Sequence, residues 1–269
     1  MNKTTAAAAI LATALSTLTG TAALASAGAA TAHATTTHSD RAGSYRVTAE
    51  VNNTEPMVNK KVKIKATVRP AVPGAQVTLQ VKYQDQKAWR TIDRGRLSGA
   101  GKVTFKDKVS SVRTRTYRVV KATDSRARGG SGETDKVEVF GWRTLTSLDY
   151  VSASYLYPGS SVMINGNAYP DSLAGVSGST TQPGSVSYNL NRDCKQLDAV
   201  YGISDSSAGN GSATLTVTAD GVVKHTAPYA LTQAQRVVTD VTGVFRLTIS
   251  DTPIGGIPAV GSPKVLCSF

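Results

Sequence analysis

From Tyr45 onward the chain alternates apolar and polar residues with period two, the pattern of strands that bury one face and wet the other. Tyr45, Val47, Ala49 and Val51 fall on one side of a first predicted strand. Val62, Ile64, Ala66 and Val68 fall on one side of a second, with Lys61, Lys63, Lys65 and Thr67 opposite. Pro70, Pro73 and Gly74 punctuate the turn that follows. Val77, Leu79, Val81 and Tyr83 continue the inward set, then Trp89 to Ile92, Val103 with Phe105, Arg115 to Lys121 and Lys136 to Phe140 complete it. No stretch longer than a turn has helical periodicity.

About seven strands in about 100 residues is the count and spacing of an immunoglobulin-like or fibronectin-like sandwich. Tyr117, near the start of the penultimate predicted strand, and Trp89 are expected as core aromatics. The segment from Gly141 to Tyr150 is short and apolar, not a Gly/Ser spacer, so two modules that pack against each other or sit in a restricted orientation are expected.

The same alternation resumes beyond it. Ser160 to Ile164 leads into Asn165-Gly166, a hairpin turn whose two central residues must accept positive φ. Val186, Tyr188 and Leu190 alternate before the turn at Asn191 to Asp193, and Leu197, Ala199, Tyr201 and Ile203 alternate after it. Asp220-Gly221 is a second hairpin turn, and Phe245 to Ser250 a late strand. The expected fold class is therefore all-β: a sandwich over 44–141, a linker over 142–149 and a second sandwich over 150–269.

Charge divides these halves. Thr35 to Trp142 carries 22 Lys and Arg against 10 Asp and Glu, whereas Arg143 to Phe269 carries 7 against 8. The whole positive excess sits on the first module, which makes polyanions expected partners, with Lys61, Lys63 and Lys65 as the candidate contacts. The first 34 residues contain one cation, Lys3, then an uncharged Ala/Leu/Thr-rich run ending in Ala32-His33-Ala34, the layout of a secretory signal peptide. Residues 35–43 read as a disordered tail. Export, with an extracellular or cell-wall location and no membrane span after cleavage, is the expectation. In that compartment Cys194 and Cys267, the only cysteines, are expected to pair.

Three segments, INGNAYPDSLAG from Ile164, YNLNRDCKQLDAVYGISD from Tyr188 and AGNGSATLTV from Ala208, stand in an order that resembles the novel putative carbohydrate-binding module (NPCBM) family. That resemblance covers most of residues 150–269 and implies a galactose-binding-like jelly roll, a fold usually attached to secreted glycoside hydrolases. It implies carbohydrate as ligand. The first module resembles, by pattern only, bacterial Ig-like repeats.

Sugars offer apolar ring faces that stack on aromatic planes and hydroxyls that need amide or carboxylate partners, so the candidate contacts are Tyr155, Tyr157, Asn165, Tyr169, Asp205, Asn210 and Tyr229. No cofactor is expected, and no Asp-rich loop spacing calls for a Ca²⁺ site at Asp205 or Asp251. His225 is the single histidine within either module, expected at the surface, so Ser/His/acid and metal-His chemistry lacks material. The first functional expectation is a non-catalytic binder of extracellular or cell-wall glycan. The second is an interaction or adhesion protein whose basic module binds polyanions or a protein partner.

Overall fold

The computed structural model describes residues 43–269, so the expected leader and all of the expected tail but Gly43 lie outside the described residues. The Gly43 carbonyl already accepts the Arg128 N–H at 3.0 Å. Every described element is a strand except one turn of 3₁₀-helix at Leu145–Ser147, so the chain is all-β as expected. No helix among the described residues is long and apolar enough to cross a membrane.

The first seven strands are β1 (Arg46–Val51), β2 (Lys61–Arg69), β3 (Gln76–Tyr83), β4 (Arg90–Arg96), β5 (Lys102–Lys108), β6 (Arg115–Lys121) and β7 (Gly130–Glu133). They form two antiparallel sheets, β1-β2-β5 and β4-β3-β6-β7. Between the sheets lie the inward residues that alternation picks out, among them Val62, Ile64, Val77, Leu79, Phe105 and Tyr117. The Tyr117 hydroxyl donates to Asp107 Oδ2 at 2.6 Å, and burial pushes that hydroxyl's pKa up. Two expectations fail here. Lys136 to Phe140 is not a strand: Val137 and Phe140 make isolated bridges, and the seventh strand is the glycine-rich Gly130–Glu133. Its glycines are needed because a Cβ at Gly130 or Gly132 would sit 1.9 or 2.4 Å from the carbonyl oxygens of Tyr45 and Val47. Nor is Trp89 core; it lies half-buried at the surface with Lys82 and Arg118 at 4.8 and 4.3 Å from its ring.

The remaining strands are β8 (Gly141–Thr144), β9 (Tyr150–Ser154), β10 (Leu156–Ile164), β11 (Asn167–Gly175), β12 (Ser185–Asn189), β13 (Cys194–Ile203), β14 (Ser212–Ala219), β15 (Val222–Ala230), β16 (Ala234–Asp240), β17 (Arg246–Ile254) and β18 (Pro258–Cys267). One sheet runs β10-β11-β18-β13-β16 with β8 added against β18, and the other runs β15-β14-β17-β12-β9. Leu197, Ala199, Tyr201, Leu215, Val217, Leu247 and Ile249 meet between them. The residues expected to link two modules are built into this second sandwich. Trp142 and Arg143 pair with Leu266 and Val265, and Leu145 is fully buried in its core. Cys194 and Cys267 form the expected disulfide directly across β13 and β18.

Candidate functional site

Strand β13 sends Leu197, Ala199 and Tyr201 into the core, so period-two alternation leaves Gln196, Asp198 and Val200 on the outer face of its sheet. Asp198 pairs in register with Lys264 of β18 and Val238 of β16, and Val200 with Gly261 and Arg236. A register shift lies between those two positions, because β18 sets two residues, Ser262 and Pro263, against the single Ala199 of β13. Ser262 on β18 has φ 41° and Asp171 on β11 has φ 51°. Non-glycine residues at positive φ persist only where their surroundings hold them. Here the holding bonds are explicit: the Ser172 hydroxyl accepts the Ser262 N–H at 3.0 Å, and the Ser262 hydroxyl donates to the Pro170 carbonyl at 2.8 Å.

The bulge clears the floor for an aromatic plate. Tyr169 lies against Gly261, where a Cβ would stand 2.7 Å from its Cγ. Beside it is a depression of about 500 Å³ lined by Tyr169, Asp198, Val200, Arg236, Ser262 and Lys264 among others. Asp198 is 4% exposed. It accepts Arg236 Nε at 2.7 Å and Nη2 at 2.5 Å, with Lys264 Nζ 3.4 Å away. The Arg236 hydrogen bonds are the main cause holding the Asp198 carboxyl below the ordinary range. Arg236 thus spends two of its five N–H groups on Asp198, and its side chain is 64% exposed, which leaves donors free for a ligand. Lys264 also stands 5.3 Å from the ring of Trp142, an exposed aromatic outside the lining of the depression. An aromatic face, fixed cationic donors and a recessed carboxylate are the groups a polyhydroxylated ligand uses.

A second depression, of about 550 Å³, is lined by residues of both sandwiches, Asp85, Arg113, Asp193 and Phe269 among them. Of its five charged lining residues, Arg113 and Asp85 are spent on each other in an ion pair, while Lys136, Glu138 and Asp193 have no ion-pair partner among the described residues. The Tyr169 depression lies wholly on the second sandwich, with Arg236 held by Asp198 and donors to spare, and is the stronger candidate.

Of the seven residues singled out from sequence, Tyr169 alone lines that depression. Tyr155 and Tyr157 are exposed on and beside β10, and Asn210 is exposed in the turn before β14, with nothing that unites them. Asn165 and Asp205 do meet, but as structure: the Asp205 carboxylate accepts the N–H groups of Asn165 and Gly166 at 2.8 Å each. Asp205 staples the hairpin turn, whose residues have φ 49° and 73°. Asp205→Ala should therefore lower unfolding free energy by about 2 kcal/mol, read by denaturant titration, and leave ligand affinity unchanged. Tyr229 is not a surface contact. It is 4% exposed, stacks on Tyr201 at 6.4 Å and shares its hydroxyl with His225 and Gln235. His225 is likewise half-buried, and burial lowers its pKa. Asp198, Arg236, Lys264 and Trp142 escaped the sequence reading; the one signal was an acid inside the otherwise apolar run LDAVYGI.

Residues 136–257 match the sequence-family model of the NPCBM/NEW2 domain. This segment is similar to NPCBM/NEW2 domains. The match to NPCBM/NEW2 begins before β8, in keeping with β8 belonging to the second sandwich, and it contains Trp142, Tyr169, Asp198 and Arg236. Gly261, Ser262 and Lys264 lie beyond it. Comparison with curated proteins found no match. Among solved structures, a CBM51 from a Clostridium perfringens GH95 in complex with methyl-galactose is 15% identical with a TM-score of 0.38, covering 46% of this chain and 99% of that one. The secreted serine protease VesC of Vibrio cholerae is 9% identical with a TM-score of 0.31, covering 84% of this chain and 51% of that one. A CBM36-1 domain of a multidomain xylanase from the Trinervitermes trinervoides hindgut metagenome is 13% identical with a TM-score of 0.28, covering 47% and 95%.

Proposed function

We propose that this is an exported, non-catalytic protein whose NPCBM/NEW2 domain binds extracellular or cell-wall carbohydrate in the depression beside Tyr169. The observation that carries the reading is the tyrosine plate seated on Gly261 next to Asp198, Arg236 and Lys264. Tyr169 stacks on the apolar face of one sugar ring. Arg236 and Lys264 donate to its hydroxyls, and Asp198 fixes the guanidinium so that little side-chain entropy is lost on binding.

Several features favour binding without turnover. The carboxyl in the depression is salt-bridged and held ionised, whereas a general acid for glycoside hydrolysis needs a raised pKa. His225 spends its Nε2 on Tyr229. A shallow site of this kind holds its sugar with a Kd of about 10 μM to 1 mM.

The test is a polysaccharide array of plant, fungal and bacterial glycans probed with the protein, followed by calorimetry on the best binder. Tyr169→Ala and Arg236→Ala should each weaken binding roughly ten-fold, about 1.4 kcal/mol, with the melting transition retained. Gly261→Ala should do the same by lifting the tyrosine. Full affinity in all three variants would move the site elsewhere on the domain, and silence across the array with folded protein would defeat the carbohydrate reading.

A further inference from the structure

The outer face of the β1-β2-β5 sheet belongs to the other sandwich and serves no role in that site. Lys61, Lys63 and Lys65 share it, as their alternation in β2 requires, and all three are exposed. What the register adds is their neighbours: Lys61 stands opposite Lys108 and Lys63 opposite Lys106 on β5. Lys65 is flanked by Thr104 and Glu50, Thr67 by Lys102 and Thr48, and Arg46 stands opposite Arg69. One sheet face thus carries six lysines and two arginines against a single acid, Glu50. Among the described residues none of the six lysines has an ion-pair partner within 4.0 Å.

Directly opposed like charges on a sheet are destabilising. Two such Lys–Lys pairs in adjacent rows therefore work against the fold unless an anion lies between them. Neighbouring rows are roughly 7 Å apart along the strand and roughly 5 Å across it, so the ammonium groups form a comb that an extended chain with one anion per short repeat can follow. At one end of the comb lies a dip of about 210 Å³ lined by Thr48, Thr67 and Thr104 with Lys65 and Lys102, and by Glu50, the single acid of the face, opposite Lys65. Hydroxyls beside ammonium groups suit phosphate, sulfate or carboxylate oxygens. The geometry points to a docking platform for a linear anionic polymer that carries no bases. Nucleic acid is the poorer fit, because sheet-face and single-strand readers stack bases on aromatic side chains and this face has none.

The experiment uses the whole chain and four probes: long-chain inorganic polyphosphate, dextran sulfate, uncharged dextran and single-stranded oligodeoxythymidine. The expected result is binding to polyphosphate and dextran sulfate that weakens steeply with salt, and none to dextran. The double variant Lys63→Gln/Lys106→Gln should lower polyphosphate affinity about ten-fold and flatten the slope of log K against log salt by roughly two charges. A control with equal charge loss on the other sheet, Arg90→Gln/Arg94→Gln, should change affinity less than about two-fold. Removing opposed lysines should also leave the melting temperature equal or higher at low salt, so loss of binding cannot come from unfolding. Equal losses from both double variants would reduce the effect to net charge and overturn the platform. Oligodeoxythymidine binding as tight as polyphosphate and equally sensitive to the Lys63/Lys106 change would overturn the base-free assignment.

Discussion

Replacing both Cys194 and Cys267 by Ala should lower the stability of the second sandwich by about 4 kcal/mol and its melting temperature by roughly 10 °C or more. The bridge joins the first residue of β13 to the last of β18, and 73 residues of sequence separate them. The loop it closes contains β14, β15, β16 and β17, most of one sheet and the edge of the other. Cutting it lets the unfolded chain regain that loop's entropy, which is the main cost in the chain-entropy account. Both half-cystines are at most 1% exposed, so the double alanine also loses packing. Melting the reduced wild-type protein separates the two contributions. In the native protein no thiol should react with alkylating reagent before reduction; alkylation of both without reductant would sink the prediction.

The second large effect concerns Asp251 on β17. Its carboxyl is 4% exposed and receives one hydrogen bond, from the Gly184 N–H to Oδ1 at 3.1 Å. Oδ2 has no partner among the described residues, and the place of a Gly184 Cβ is 2.6 Å from it. Burial pushes the pKa up to about 6 from an ordinary 3.8, against the opposing effect of the Gly184 N–H. A carboxyl with a raised folded pKa binds protons more tightly when folded, so its contribution to stability falls as pH rises from about 4 to about 6. The loss above pH 6 is about 3 kcal/mol. Asp251→Asn keeps the acceptor for Gly184 and removes the charge. The stability of the variant relative to wild type should therefore rise by about that amount between pH 3.5 and pH 7. Relative stability is the informative quantity, because Asp124, Asp198 and Asp220 have depressed pKa values and act in the opposite sense as pH falls. A difference that stays flat across that range would show that Asp251 is solvated or otherwise neutralised.

The fold class and most strands were legible in the sequence because a half-buried strand writes its face into its residue order. Val62, Ile64, Ala66 and Val68 alternate with lysines over nine residues, and no long-range information is needed to see it. The turns at Asn165-Gly166 and Asp220-Gly221 were legible for the same local reason, since their backbone requires positive φ, as found. The cysteine pair was expected from the even number of cysteines and the expectation of export. The misreadings are cases in which alternation was weak or a neighbour decided. Tyr229 is the penultimate residue of β15, a strand whose other residues are largely exposed, and it faces inward because Tyr201 and His225 pack there. Trp89 stands just before β4, a strand whose own residues are largely exposed, and is covered by cations instead.

Of the candidate site only Tyr169 was named from the sequence; its assembly with Asp198, Arg236 and Lys264 belonged to the tertiary structure. Tyr169, Asp198, Arg236 and Lys264 come from four strands, β11, β13, β16 and β18, scattered over nearly 100 residues of sequence. Arg236 and Lys264 taken singly are ordinary surface cations, and Asp198 is buried only because of what packs around it. They converge because β18 is inserted between β11 and β13 and because a bulge at Ser262 shifts the register that would otherwise set which residues face one another. The lysine comb shows the same division within one sheet. Lys61, Lys63 and Lys65 share a face by local periodicity, which any reader of the sequence can count. That Lys108 and Lys106 stand directly across from two of them depends on how β2 and β5 pair across more than 30 intervening residues. Periodicity is a property of neighbouring residues and survives in the sequence. Register is set by turns, bulges and core packing, and it exists only once the chain has closed on itself.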